Sequence, residues 1–193
     1  MRLGILDSGH NLRTKALFAL IRRASRQPVL DIVKLVSYRP DFYARLMGQI
    51  THEAMRGRSE WSVGDRELMA AFVAKVNQCE FCIKTHTAVA QRAYGNGITV
   101  SAWLSDPDST AIEEPLRATL HMLSKLTRMD TLNTDDVRTV LAAGVSHQQI
   151  EDALAVCFSF NIISRLANAF GFFVPGPEAF EASAKYLLAR GYR

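Results

Sequence analysis

The chain has 193 residues, of which 48% are hydrophobic, and a net charge of +4. That is enough apolar material for one complete core, which excludes a disordered chain. The charge is uneven: residues 1–60 hold eleven Lys/Arg against five Asp/Glu, +6, and residues 61–193 hold twelve against fourteen, −2.

The basic residues Arg13, Lys15, Arg22, Arg23 and Arg26 spread over one helix as its solvated face, without interleaved aromatics. Nucleic acid is therefore not an expected partner. No uninterrupted apolar run approaches the roughly 20 residues that span a bilayer. Residues 153–163 come nearest at about half that length, and they contain Asn161. Arg2, Asp7 and Arg13 interrupt the stretch where a signal peptide would be apolar. A cytoplasmic protein without membrane contact is expected.

The pattern predicts an all-α protein. Residues 11–26 form a first helix with Leu12, Ala16, Ala19, Leu20 and Ala24 near one face. Pro28 opens a second helix toward Tyr38, and Pro40 a third toward Met55, where Gly57 and Ser59 break the periodicity. Ser62 and Asp65 have capping-box spacing ahead of an apolar helix over 67–76. A break at Asn77 and Gln78 precedes a helix over 79–94, stopped by Gly95 and Gly97. Asp106-Pro107-Asp108 is a loop. Helices follow over 112–129, 135–143 and 150–170, the last preceded by a capping box of Ser146 and Gln149. Pro175-Gly176-Pro177 separates a final helix over 178–190. Residues 1–27 read as an N-terminal helical arm that packs on a neighbouring subunit, and 28–193 as the main helical domain.

The chemistry concentrates between Glu67 and His86. There are three cysteines, two of them in the pair Cys79-x-x-Cys82; with an odd count, a redox or metal-binding pair is the sensible reading. On a helix, positions 79, 82 and 86 share one face within about two turns. A helix N-terminus favours thiolate at Cys79, and a partner three residues on can close a disulfide. His86 can take or return a proton near neutral pH. Glu67 on the preceding helix can fold back to orient that imidazole; taken alone it would be a first-turn residue favoured by the helix dipole. Zinc needs about four ligands, and Cys79, Cys82 and His86 supply only three.

The arrangement of Glu67, eleven residues, Cys79-x-x-Cys82, three residues and His86 resembles the active-site motif of alkylhydroperoxidase D (AhpD), within the carboxymuconolactone decarboxylase-like superfamily. The segment Phe160-Asn-Ile-Ile-Ser-Arg-Leu-Ala-Asn-Ala-Phe-Gly171 resembles the closing core helix of its peroxidase-related branch, and the resemblance spans roughly residues 28–172. It implies an AhpD-like helical bundle that assembles as a trimer or hexamer. It also implies a thiol-dependent peroxidase or disulfide oxidoreductase without metal or bound cofactor. The substrate would be a hydroperoxide or small disulfide. Electrons would come from an external dithiol such as a lipoyl group, with a peroxiredoxin or lipoyl protein as partner.

By position, Cys82 would meet the peroxide, Cys79 would resolve it, and Glu67 with His86 would relay the proton. Helix-terminus physics instead favours Cys79 as the reactive sulfur. Phe81 stands where the family motif carries a second histidine, which removes one group from the relay.

Two other readings stand beside this one: a decarboxylase-type acid–base enzyme on the same scaffold, which needs no dithiol, and a zinc-stabilised scaffold without catalysis. Cys157 is expected as a small core residue. Asn161, Arg165 and Asn168 are expected to make hydrogen bonds between helices or subunits. His52, His121 and His147 have no catalytic company in the sequence.

Overall fold

The computed structural model describes residues 1–95, 99–109 and 111–192, with only the backbone at Phe42 and Tyr43. Among the described residues there are helices and no strands, as the periodicity requires. In chain order the elements are α1 (Ile5–Ser8), α2 (Leu12–Ser25), α3 (Asp31–Tyr38), a π-helical turn (Pro40–Ala44), α4 (Arg45–Arg56), α5 (Val63–Val76) and α6 (Glu80–Tyr94). They continue with α7 (Val100–Ser105), α8 (Glu114–Thr127), α9 (Thr134–Ala142), α10 (His147–Phe170) and α11 (Pro177–Arg190).

The centre of the molecule is α5, buried on every side from Arg66 to Ala74. Helices α6, α10, α8 and α4 surround it. Both predicted capping boxes form. Ser62 Oγ accepts from the Asp65 N–H while Asp65 accepts from the Ser62 N–H, and Ser146 and Gln149 repeat the exchange. Each satisfies two end groups that would otherwise lack partners. Because Ser62 is the cap, α5 starts at Val63, four residues before the predicted start. Glu67 therefore lies in the second turn, and the helix-dipole explanation of it falls away.

Helices α5 and α6 form a tight hairpin. Its turn runs through Gln78 at φ 54, a left-handed conformation that costs a non-glycine residue about 1 kcal/mol. The Cys79 N–H closes it onto the Ala74 carbonyl at 2.9 Å. Asn77 is held from α10: its side chain donates to Asn161 Oδ1 at 3.0 Å, and its carbonyl accepts from Asn168 at 2.9 Å. Two of the three polar residues on the closing helix are thus interhelical ties, as expected, and both fix the turn that carries the cysteines. Arg165 is exposed.

Other predicted features fare differently. The π-helical turn occupies the start of the predicted third helix, and α1 and α7 have no counterpart among the predicted helices. Gly97, read as a helix stop, lies outside the described residues. The predicted apolar stripe of α2 is not covered within this chain: Leu12 is 84% and Leu20 62% exposed, and only Phe18 is buried, against His10 at 4.8 Å. Residues 1–8 rest on their own chain. The Arg2 N–H donates to the Phe170 carbonyl at 2.6 Å, Leu6 is fully buried, and Asp7 pairs with Lys34. Helix α10 is long and apolar enough to cross a membrane by length and composition; here its apolar face lies in the core around Phe160.

Candidate active site

The hairpin brings all four predicted residues to the interior. Cys79 and Cys82 are each 1% exposed, and Glu67 and His86 are buried. They form two adjoining groups along α6.

The first group is the dithiol. Cys79 is the N-terminal capping residue of α6, and both cysteines are free thiols. The Cys82 thiol hydrogen-bonds Cys79, lowering the Cys79 pKa from 9.0 to about 7 against the opposing effect of burial. The backbone N–H groups of Cys82 and Phe81 and the Ser164 hydroxyl assist. The same hydrogen bond, with burial, pushes Cys82 well above its ordinary value. One shared proton thus makes the pair unequal. Ser164, on α10, is fully buried; its hydroxyl makes no regular hydrogen bond and acts on Cys79 as a nearby polar group. The helix-terminus argument for Cys79 therefore has a firmer cause in the thiol of Cys82.

The second group is the buried relay. Glu67 Oε2 lies 2.7 Å from His86 Nδ1. This contact fixes the tautomer and leaves Nε2 as the nitrogen free to exchange a proton. Arg56 Nη2 donates to Glu67 Oε1 at 2.6 Å, and the Tyr192 hydroxyl donates to the same oxygen at 2.8 Å. Burial alone would raise the Glu67 pKa; the His86 hydrogen bond and charge, then Arg56, outweigh it and hold the carboxyl below its ordinary value. The imidazole is packed edge-on to Phe160 at 4.3 Å and parallel to Tyr192 at 6.3 Å.

Arg56, Ser164 and Tyr192 are absent from the sequence reading. A buried carboxylate demands a cation or several donors, and Arg56, eleven residues upstream of Glu67, is the partner that this demand should have suggested. Ser164 and Tyr192 had no such signal.

Phe81 does not face the relay. Its ring is edge-on to Phe172 at 5.4 Å and to Phe180 at 6.2 Å, in an apolar cluster that also holds both cysteines. Cys157 is a core residue as expected, its thiol pushed up by burial. His121 pairs with Asp108 at 2.7 Å, His147 is exposed, and His52 Nδ1 accepts from the Tyr192 N–H at 3.2 Å. No group of three or more His, Cys, Asp and Glu side chains among the described residues could share a metal ion.

Two clefts lie near this region, and neither is lined by a sulfur. One of about 210 Å³ lies between Leu30, Lys34 and Phe173. The other, about 710 Å³, lies along α4 between Arg45, Gln49, Glu53 and Tyr192. Both sulfurs are buried and interact with each other, and among the described residues lining these two clefts only Tyr192 belongs to the relay.

Residues 40–100, which contain Glu67, Cys79, Cys82 and His86, match the model of the carboxymuconolactone decarboxylase family. No curated protein matches the chain. Among solved structures, an uncharacterized peroxidase-related protein from Silicibacter sp. TM1040 superimposes with a TM-score of 0.77 at 20% identity, covering 93% of each chain. Another, an alkylhydroperoxidase AhpD core protein from Ralstonia eutropha JMP134, also called uncharacterized and peroxidase-related, gives 0.74 at 18%, covering 92% of each. The AhpD-like helical fold and the carboxymuconolactone decarboxylase resemblance read from the sequence are thus borne out.

Proposed function

We propose that this chain is a dithiol oxidoreductase, acting on hydroperoxides or small disulfides through Cys79 and Cys82, with Glu67 and His86 as its proton relay. The observation that carries the reading is the unequal thiol pair: Cys79 lowered to about 7 by a hydrogen bond from Cys82, one helical turn from a buried Glu67–His86 pair.

At neutral pH about half of Cys79 is thiolate. The thiolate attacks one peroxide oxygen; the O–O bond breaks, the departing alkoxide takes a proton by way of His86, and an alcohol leaves. Cys79 is then a sulfenic acid. Cys82 attacks it, forming the Cys79–Cys82 disulfide and expelling water. An external dithiol, for which a lipoyl group has suitable chemistry, reduces the disulfide in two exchange steps and is itself oxidised. This order makes Cys79 the attacking sulfur, the reverse of the order that the resemblance implies, because Cys79 is the thiol held ionised. No metal or bound cofactor takes part, and the setting is the reducing cytoplasm.

The test is peroxide consumption with several dithiol donors by wild type, Cys79→Ser and Cys82→Ser. Both variants should lose turnover; full activity in either one rules out the mechanism. The family model favours a second reading, acid–base turnover of a ring substrate by Glu67 and His86. Such turnover surviving removal of both sulfurs would establish it.

A further inference from the structure

Chemistry at sealed sulfurs needs a way in, and the groove along α4 ends at Tyr192. This residue is held from four directions. Its hydroxyl donates to Glu67 Oε1 at 2.8 Å and lies 3.4 Å from His86 Nδ1. Its ring is parallel to His86 and 5.2 Å from the Arg56 guanidinium, and its N–H donates to His52. The preceding Gly191 has φ 69 and closes α11 by donating to the Leu187 carbonyl at 2.9 Å. A side chain there would strike the His52 ring at 2.6 Å, so only glycine lets the chain turn inward. Arg56 also donates to the Leu187 carbonyl at 3.1 Å, which ties the end of α11 to the relay's own cation. That edge of the groove is therefore fastened to the relay by hydrogen bonds that can break and re-form, while its other described lining residues lie on α4 and at the preceding Ala44.

We propose that Tyr192 is a positioning residue of the Glu67–His86 relay, and that the segment Gly191–Tyr192 is the latch whose release admits substrate from the groove beside α4. While closed, the latch fixes the Glu67 carboxylate and excludes water. When it swings out, Glu67 keeps Arg56 and His86, and the groove extends to the imidazole and, along α6, to the Cys79–Cys82 dithiol. The polar residues Arg45, Gln49 and Glu53 on the groove suit a small hydroperoxide or disulfide with a polar tail. This deepens the dithiol reading and rests on it for the identity of the substrate; the latch itself does not.

The test is the alkylation of Cys79 and Cys82 in the full-length protein by a small uncharged reagent, followed by mass spectrometry, which requires no turnover. Tyr192→Ala and Gly191→Ala should each speed alkylation by about tenfold or more, the factor that one lost hydrogen bond to a charged group implies. Tyr192→Phe, which keeps the ring and secures the fold, should speed it less. It should also raise the acid limb of the pH profile for peroxide-driven disulfide formation, because Glu67 loses a donor to its charged form. A residue with only a structural role would leave that limb unmoved. Wild-type alkylation rates in both Tyr192→Ala and Gly191→Ala would overturn the latch, whatever the peroxidase assay gives. Faster alkylation in a protein that consumes no peroxide would keep the latch and remove the proposed activity.

Discussion

Replacing Cys82 with alanine isolates the interaction on which the dithiol depends. The lowering of Cys79 from 9.0 to about 7 corresponds to about 2.7 kcal/mol favouring the thiolate. The Cys82 thiol is the largest contributor to it; the Cys82 and Phe81 N–H groups and Ser164 supply the rest. In Cys82→Ala the midpoint should therefore rise most of the way toward 9.0. At pH 7 the thiolate fraction would fall from about one half to a few per cent. A free thiol of higher pKa is more nucleophilic, with a Brønsted slope of about 0.4–0.5, so a reaction rate would understate the change. The suitable assay is the ultraviolet absorbance of the thiolate against pH, with Cys157 replaced by alanine in both proteins. A midpoint that stays near 7 without Cys82 would refute the hydrogen-bond argument and transfer the effect to the helix N-terminus.

Two further consequences concern stability. A thiol with a lowered folded pKa contributes stability that is complete above the unfolded value and lost as pH falls through the folded one. The reduced protein should therefore gain up to about 2.7 kcal/mol between pH 7 and 9, less the opposing effect of the raised Cys82; urea denaturation across that range tests it, and Cys79→Ala should flatten the rise. Phe81→His, which introduces the histidine carried by the motif that the sequence resembles, should cost about 1–3 kcal/mol by placing an unpaired imidazole against Phe172 and Phe180, and should leave peroxide turnover no faster; denaturation midpoints and the peroxide assay read the two effects.

The extent of sequence legibility follows from the distance over which each feature is decided. Capping boxes at Ser62 and Ser146 are settled within four residues and were readable. So was the grouping of Glu67, Cys79, Cys82 and His86, because one hairpin carries all four. The two short helices, α1 and α7, are too brief to show a period. The covering of the Glu67–His86 pair was not readable, since it involves Tyr192, which lies 125 residues from Glu67 and is brought there by α11 packing along α6. The missing histidine at position 81 read as a gap in the relay, but the structure turns that side chain into the aromatic cluster, where a polar group would lack a partner. The uncovered apolar stripe of α2 belongs to the same class: periodicity marks a face as apolar and cannot tell what it meets.

Glu67 and the cysteines share one helix hairpin, yet their energetics are separate. Cys79 is favoured as thiolate by Cys82, two backbone N–H groups and Ser164, none of which is hydrogen-bonded to Glu67. Glu67 is held ionised by His86 and Arg56, neither of which bonds a sulfur. Thiolate formation and proton delivery should therefore be separable by mutation. His86→Asn keeps a donor toward Glu67 while removing the exchangeable proton. It should leave the Cys79 midpoint near 7 and lower peroxide turnover by about 10²–10⁴-fold, the usual loss when a general acid–base is removed. Absorbance titration and peroxide consumption on one preparation read both quantities. A Cys79 midpoint displaced by a full unit in His86→Asn would show that the imidazole sets the thiolate, and the two groups would then have to be treated as a single coupled site.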